Sequence, residues 1–142
     1  MEIYVKKYSA LSKNELFAIM QARARVFHLE QKITEEDFDD IDKNCFHMFL
    51  MHNKEFLGYI RIYKENEVAH LGRFLTLDRK KGYGKIIFKE AVRYAKSRLN
   101  AKRIEIHAQS YLVNFYKKFG FKVIGEPFNE AGIEHVLMIY EK

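Results

Sequence analysis

Residues 68–108 run through a strand pattern, a glycine-bearing turn, a helical stripe and a second strand pattern, and this succession restricts the fold more than any other feature. Val68 to Leu77 reads as a strand and Asp78 to Gly82 as a turn. Phe88, Ala91, Val92, Ala95 and Leu99 then recur at helical spacing, up to about Asn100. Arg103-Ile104-Glu105-Ile106-His107-Ala108 follows as a strand. Two strands joined through a helix are expected to be parallel neighbours connected with the usual right hand.

The segments on either side place that crossover in a larger sheet. Ile3 and Val5, with Tyr4 and Tyr8, read as an opening strand, and Ser12-x-x-Glu15 is a capping box ahead of a helix from about Lys13 to Phe27. Leu16, Ile19, Met20, Ala24 and Phe27 should share its buried face, with Gln21 and Arg25 pointing elsewhere. His28 to Phe46 lacks periodicity and gathers acids. His47 to His52 and Phe56 to Tyr63 form a hairpin across Asn53-Lys54-Glu55, and Glu65-Asn66-Glu67 turns into the strand at Val68. A short helix, about Tyr111 to Phe119, and strands at about Lys122 to Glu126 and Glu134 to Tyr140 complete the order. The expected class is α+β, with a mixed, mostly antiparallel sheet carrying helices on both faces.

With 142 residues, residues 1–142 should form one domain with one site. Hydrophobic residues are 48% and aromatics 15%, Trp is absent and Pro occurs once, so neither disorder nor a repeat array is indicated. The first seven residues mix charge with short apolar runs, unlike a leader peptide. No segment approaches the roughly 20 apolar residues of a membrane span. A single cysteine, Cys45, rules out an intrachain disulfide and a cysteine-rich metal site, and a cytoplasmic location is the expectation. The net charge of +6 is uneven. Bases crowd Arg79-Lys80-Lys81 and Lys85, while acids crowd Glu35-Glu36-Asp37 and Asp39-Asp40-Asp42, so an anionic cofactor and a cationic acceptor would each find a patch.

Chemistry concentrates first in Arg79-Lys80-Lys81-Gly82-Tyr83-Gly84-Lys85. Glycines clear the approach to the backbone, and a helix start leaves N–H groups unpaired and positive. Such a turn suits phosphate, as it also suits mere capping of the helix. It lacks the Gly-Lys-Ser/Thr ending of a nucleotide-hydrolase loop and the glycine pattern of a dinucleotide fold. The second segment is Gln109 to Phe121, a short aromatic helix closed by Gly120. Tyr116-x-x-x-Gly120-Phe121 paired with Arg79-x-x-Gly82-x-Gly84, across a crossover strand, resembles the GNAT acetyltransferases over nearly the whole chain.

Within them the chain is most similar to the ElaA-like branch, through Arg25-Val26-Phe27-His28-Leu29-Glu30-Gln31, Asp42 followed by His47, Gly72-Arg73, Ala108-Gln109, Phe115-Tyr116 with Phe119-Gly120-Phe121, Gly125-Glu126, Gly132-Ile133-x-His135 and Met138. The resemblance implies a splayed parallel strand pair holding acetyl-CoA, with the thioester near Phe74, Leu75 and Thr76. Arg79, Gly82 and Gly84 would hold the pyrophosphate, with Lys80, Lys81, Tyr83 and Lys85 around it. Gln109, where the family commonly has Asn, and Asn114 would contact the cofactor arm. Tyr116 would protonate the leaving thiolate. Phe74 to Asp78 is shorter than usual and lacks the common proline.

Glu30 and His135 are the candidate proton acceptors for the amine, with Asp42 and His47 behind them. Transfer of an acetyl group to a primary amine of a small molecule or peptide is the expected activity. No metal is expected, because no His-x-x-x-His pair or Cys-His cluster occurs. The acidic run either lines the acceptor mouth or is a solvated loop. Nucleic acid is not an expected partner, since the positive charge is local and the aromatics fall at core spacing; a homodimer is left open. The rival within the same family is a silent acyl-CoA sensor.

Overall fold

The computed structural model describes residues 1–79 and 81–142. Strands β1 (Glu2–Lys7), β2 (Phe46–His52), β3 (Glu55–Glu65) and β4 (Val68–Thr76) form an antiparallel meander. Helix α2 (Tyr83–Ser97) then crosses to β5 (Arg103–Gln109), parallel to β4, and α3 (Val113–Lys117) leads to β6 (Lys122–Glu130) and β7 (Ile133–Glu141). The seven strands make one sheet in the order β1-β2-β3-β4-β5-β7-β6, so β7 inserts between β5 and the edge strand β6. This is the expected α+β architecture with one parallel pair.

Two apolar layers flank the sheet. On one face, Ile87, Phe88, Ala91 and Ala95 of α2 meet Ile60, Ile62, Ala69, Ile104 and Met138. On the other, α1 (Lys13–Arg23) and the helical turns that continue it bring Ile19, Ala22, Val26 and Phe27 onto Phe49, Tyr59 and Leu75. The Ser12 and Glu15 capping box is present, each residue accepting from the other's backbone N–H.

The first helix departs from expectation in two ways. Met20 and Ala24 are exposed, and the buried face is Ile19, Ala22, Arg23, Val26 and Phe27. A fully buried arginine in the stripe makes a hydrophobicity-based phase miss by about one residue. The helix also runs to Glu30, but residues 24–30 widen into π-type turns, with Gln31 N bonding Val26 O at 3.0 Å. The other ends move slightly. β6 reaches Glu130 rather than Glu126, Ser110–Leu112 is a tighter turn ahead of a five-residue α3, and Tyr8 begins a short 3-10 turn after β1.

Candidate active site

β4 and β5 pair only from Val68–Leu71 against Arg103–Ile106. Beyond that rung β4 stays with β3 and β5 stays with β7, so the sheet opens between them. A bulge in β4 lies just past the opening. Tyr59 pairs Leu75 and Arg61 pairs Gly72, so Arg73 and Phe74 together oppose Ile60. Arg73 takes a φ of 54°, a conformation costly for a side chain with a Cβ. Its guanidinium is anchored to Asp37, at 2.9 Å from the backbone oxygen and 2.9 Å from Oδ1. The bulge directs Phe74 to the α2 face, where its ring meets Phe88, Phe115 and Tyr116.

The glycine turn faces the same opening. Gly82 is left-handed, at φ 73°, and as the N-cap of α2 it contributes no side-chain cap hydrogen bond, so it leaves the approach to the first-turn N–H groups open on its own side. A Cβ on Gly84 would lie 3.5 Å from the Phe74 ring and 3.9 Å from Thr76 Cγ2, so helix start and bulged strand come together there. Lys81 and Lys85 are exposed around this turn, and Tyr83 is half-buried. Lys80 lies outside the described residues. Arg79 pairs with Glu30 at 2.7 Å, which joins an expected phosphate ligand to an expected proton acceptor on the protein surface.

Tyr116 is buried among Phe74, Phe88 and Phe115. Burial, with a smaller contribution from Tyr111, raises its phenol above the usual range, and its hydroxyl has no hydrogen-bond partner among the described residues. A phenol in that state keeps its proton, which makes it a donor. Gln109, the last residue of β5, donates from Nε2 to Gln31 Oε1 at 3.0 Å and so ties the opened strand to the end of the first helix. Asn114 is exposed on α3.

The opposite face carries His135, buried on β7, with Nδ1 2.7 Å from Ile133 O and Nε2 3.7 Å from Glu130 Oε2. Glu130 also accepts from His107 Nδ1 at 2.8 Å; that hydrogen bond lowers the carboxyl and raises the imidazole.

The acids of the 35–42 run are not a free patch. Arg23 holds Asp37 Oδ2 at 2.8 Å and Asp42 Oδ1 at 2.7 Å, and Arg61 holds Asp39 Oδ1 at 2.9 Å. Burial alone would raise the Asp42 carboxyl, but the hydrogen bond and charge of Arg23 overcome it and keep it low. Glu35, Glu36 and Asp40 are the exposed members. His47 is fully buried, giving Nε2–H to Asp42 O at 2.8 Å and accepting from Tyr59 Oη at 2.6 Å; desolvation lowers its pKa. Both reserve proton acceptors thus sit inside the core, as parts of one charged network. Asp42, Cys45 and His47 cluster as metal ligands could, yet Arg23 and Arg61 already occupy the carboxylate, and burial pushes the Cys45 thiol up to about 11. That environment disfavours a cation.

A family model described as an acetyltransferase (GNAT) domain matches residues 9–142. The chain belongs to the GNAT acetyltransferases. Protein ElaA of Escherichia coli is 30% identical over 94% of this chain and 92% of its own length, and a UPF0039 protein of Schizosaccharomyces pombe is 31% identical over 99% and 97%. The crystal structure of E. coli ElaA superposes with a TM-score of 0.91 at 29% identity over 99% of both chains. An acyl-CoA N-acyltransferase structure from Pseudomonas aeruginosa reaches the same TM-score at 24% identity, again over 99% of both, and shows the shared fold.

Among GNAT residues here, the sequence did not reveal the roles of Arg23, Asp37 and Arg73, which fix the bulge, or of Gln31 and Glu130, which meet Gln109 and His135. Gly72-Arg73 was visible only as part of a family phrase. Glu130 carried no signal, because the extra residues that bring β6 back to His135 cannot be counted without the pairing register.

Proposed function

We propose that this GNAT protein is an acetyl-CoA-dependent N-acetyltransferase acting on a primary amine of a small molecule or peptide. The carrying observation is the junction of the opened β4–β5 pair with the glycine start of α2. Backbone amides at Gly82 to Gly84, with Arg79, Lys81 and Lys85, are suited to the cofactor diphosphate, and Arg79 would exchange Glu30 for phosphate. Backbone around Phe74 to Thr76, released from pairing with β5, is suited to the thioester carbonyl and its developing oxyanion.

The amine must attack as the neutral base. Its nitrogen forms the C–N bond, the C–S bond breaks, Tyr116 gives its proton to the departing thiolate, and the proton shed by the new amide nitrogen returns through solvent to restore the phenol. Burial keeps the phenol protonated, so the proton is in place to be shared with the sulfur as thiolate charge builds. Holding amine and thioester in one complex supplies up to about 7–11 kcal/mol of the barrier reduction. Glu30 lies in an exposed ion pair with Arg79, whereas His135 faces the open end of β5, which makes His135 the better-placed proton acceptor.

The test is release of coenzyme A thiol across a panel of primary amines, with wild type and Tyr116→Phe compared. Turnover that falls roughly 10²–10⁴-fold in the variant, with unchanged coenzyme A affinity, supports the enzyme. Coenzyme A binding without turnover on any amine would instead make it a sensor, and no binding at all would remove the reading.

A further inference from the structure

The ends of β5, β6 and β7 carry polar side chains on the α1 face, away from the glycine turn. Gln109 and His135 are cross-strand partners, as are His135 and Phe128. β6 pairs Ile124 with Leu137 and then Phe128 with His135, so Gly125, Glu126 and Pro127 face Val136 alone. Two extra residues preserve the alternation of a strand, so Phe128 and Glu130 arrive on the face of His135. The Phe128 ring stacks on His135 with centroids 6.1 Å apart and meets His107 edge-on at 5.3 Å.

The hydrogen bonds fix where protons sit. Ile133 O is a carbonyl and can only accept, so His135 Nδ1 carries the hydrogen at 2.7 Å. In the neutral ring Nε2 then keeps a lone pair. That lone pair faces Glu130 Oε2 at 3.7 Å, acceptor against acceptor, beyond direct hydrogen-bond reach. His107 Nδ1–H occupies the other carboxylate oxygen at 2.8 Å. A single nitrogen with two N–H groups, about 2.8 Å from each acceptor, would bridge them at an angle of roughly 80°. An ammonium meets that demand with its charge matched to the carboxylate.

We propose that Glu130 Oε2 and His135 Nε2 together receive the primary ammonium of the acceptor, with Phe128 as the apolar wall for its carbon chain. The inference rests on the acyltransfer reading and names its substrate class, a primary alkylamine that enters protonated with its carbon chain against an aromatic ring. One N–H bond of the ammonium breaks and its proton passes to Nε2. The imidazolium so formed is stabilised by the charge of the Glu130 carboxylate 3.7 Å away, and the freed nitrogen lone pair is the nucleophile. Amines without N–H groups cannot bridge the two acceptors, and neutral amides lack the charge.

The experiment titrates n-pentylamine, and separately its trimethylammonium analogue, into the protein loaded with coenzyme A and into the free protein, following the imidazole ¹⁵N resonances of His135 by NMR. Pentylamine is expected to shift the Nε2 signal saturably. The trimethyl analogue and the variant Glu130→Gln should each bind at least tenfold more weakly, while Glu126→Gln, on the exposed bulge, binds like wild type. Where turnover is measured, Glu130→Gln should raise the amine KM and His135→Asn should lower kcat. Equal binding of the trimethyl analogue, undiminished affinity in Glu130→Gln, or no His135 shift would overturn the proposal and leave Glu130 and His135 a structural pair. Absence of coenzyme A binding, read from the same samples by calorimetry, would sink the acyltransfer reading separately.

Discussion

Arg23 shows how much one buried charge can organise. Its guanidinium reaches Asp37 and Asp42, lies 3.8 Å from the centre of the Phe38 ring, and is fully covered. Removing one partner of such a pair strands the other, at a cost of about 3–5 kcal/mol. Arg23→Leu is therefore expected to lower unfolding stability by that amount in urea titration, and Arg23→Leu with Asp42→Leu to lose less than the sum of the singles. The half-exposed pair of His107 and Glu130 behaves differently. The shared hydrogen bond raises the imidazole and lowers the carboxyl. The pair therefore helps the fold fully at pH values below the ordinary histidine range and above the ordinary glutamate range. That help fades as pH rises through the raised His107 value or falls through the lowered Glu130 value. In Glu130→Gln the His107 ring should titrate at lower pH, as followed by proton NMR; an unchanged titration would contradict the assigned cause.

At the scale of elements, the proposed site rests on the β4 bulge and the start of α2. Arg73 combines a strained backbone with an anchored side chain, and the two can be separated. Arg73→Gly relieves the positive φ but loses the bonds to Asp37, whereas Arg73→Ala loses the bonds and keeps the strain. Thermal denaturation should rank wild type above Arg73→Gly and Arg73→Gly above Arg73→Ala, with a gap of about 1 kcal/mol between the variants. A Cβ at Gly82 meets nothing within 4 Å, so Gly82→Ala carries only the backbone cost of its φ of 73°. About 1 kcal/mol of stability should be lost. Coenzyme A affinity, measured by calorimetry, should fall with it as the first-turn amides tilt.

For the whole molecule, a ligand that binds only the folded state adds RT ln(1 + [L]/Kd), about 2.7 kcal/mol at a hundredfold excess over Kd. Coenzyme A at that excess is expected to raise the melting temperature by roughly 5–10 °C for a domain of this size. Lys81→Glu with Lys85→Glu should shrink the rise, as should added salt, because both weaken attraction to phosphate. The sheet itself should persist in that double variant, since both lysines are exposed.

Much of this organisation was readable along the chain. The strands, the crossover at residues 68–108, the Ser12 cap and the glycine turn are local, because alternation, helical spacing and glycine placement act over a few residues. The pairing of Arg79-x-x-Gly82-x-Gly84 with Tyr116-x-x-x-Gly120-Phe121 was enough to suggest the family. Only tertiary structure decided the rest. Whether Asp37 and Asp42 attract substrate or anchor arginines, whether Glu30 is free or paired with Arg79, and that two extra residues in β6 bring Glu130 to His135 depend on contacts between distant segments. Periodicity specifies which way a side chain faces, but a charge takes its role from the partner that packing brings within hydrogen-bond distance.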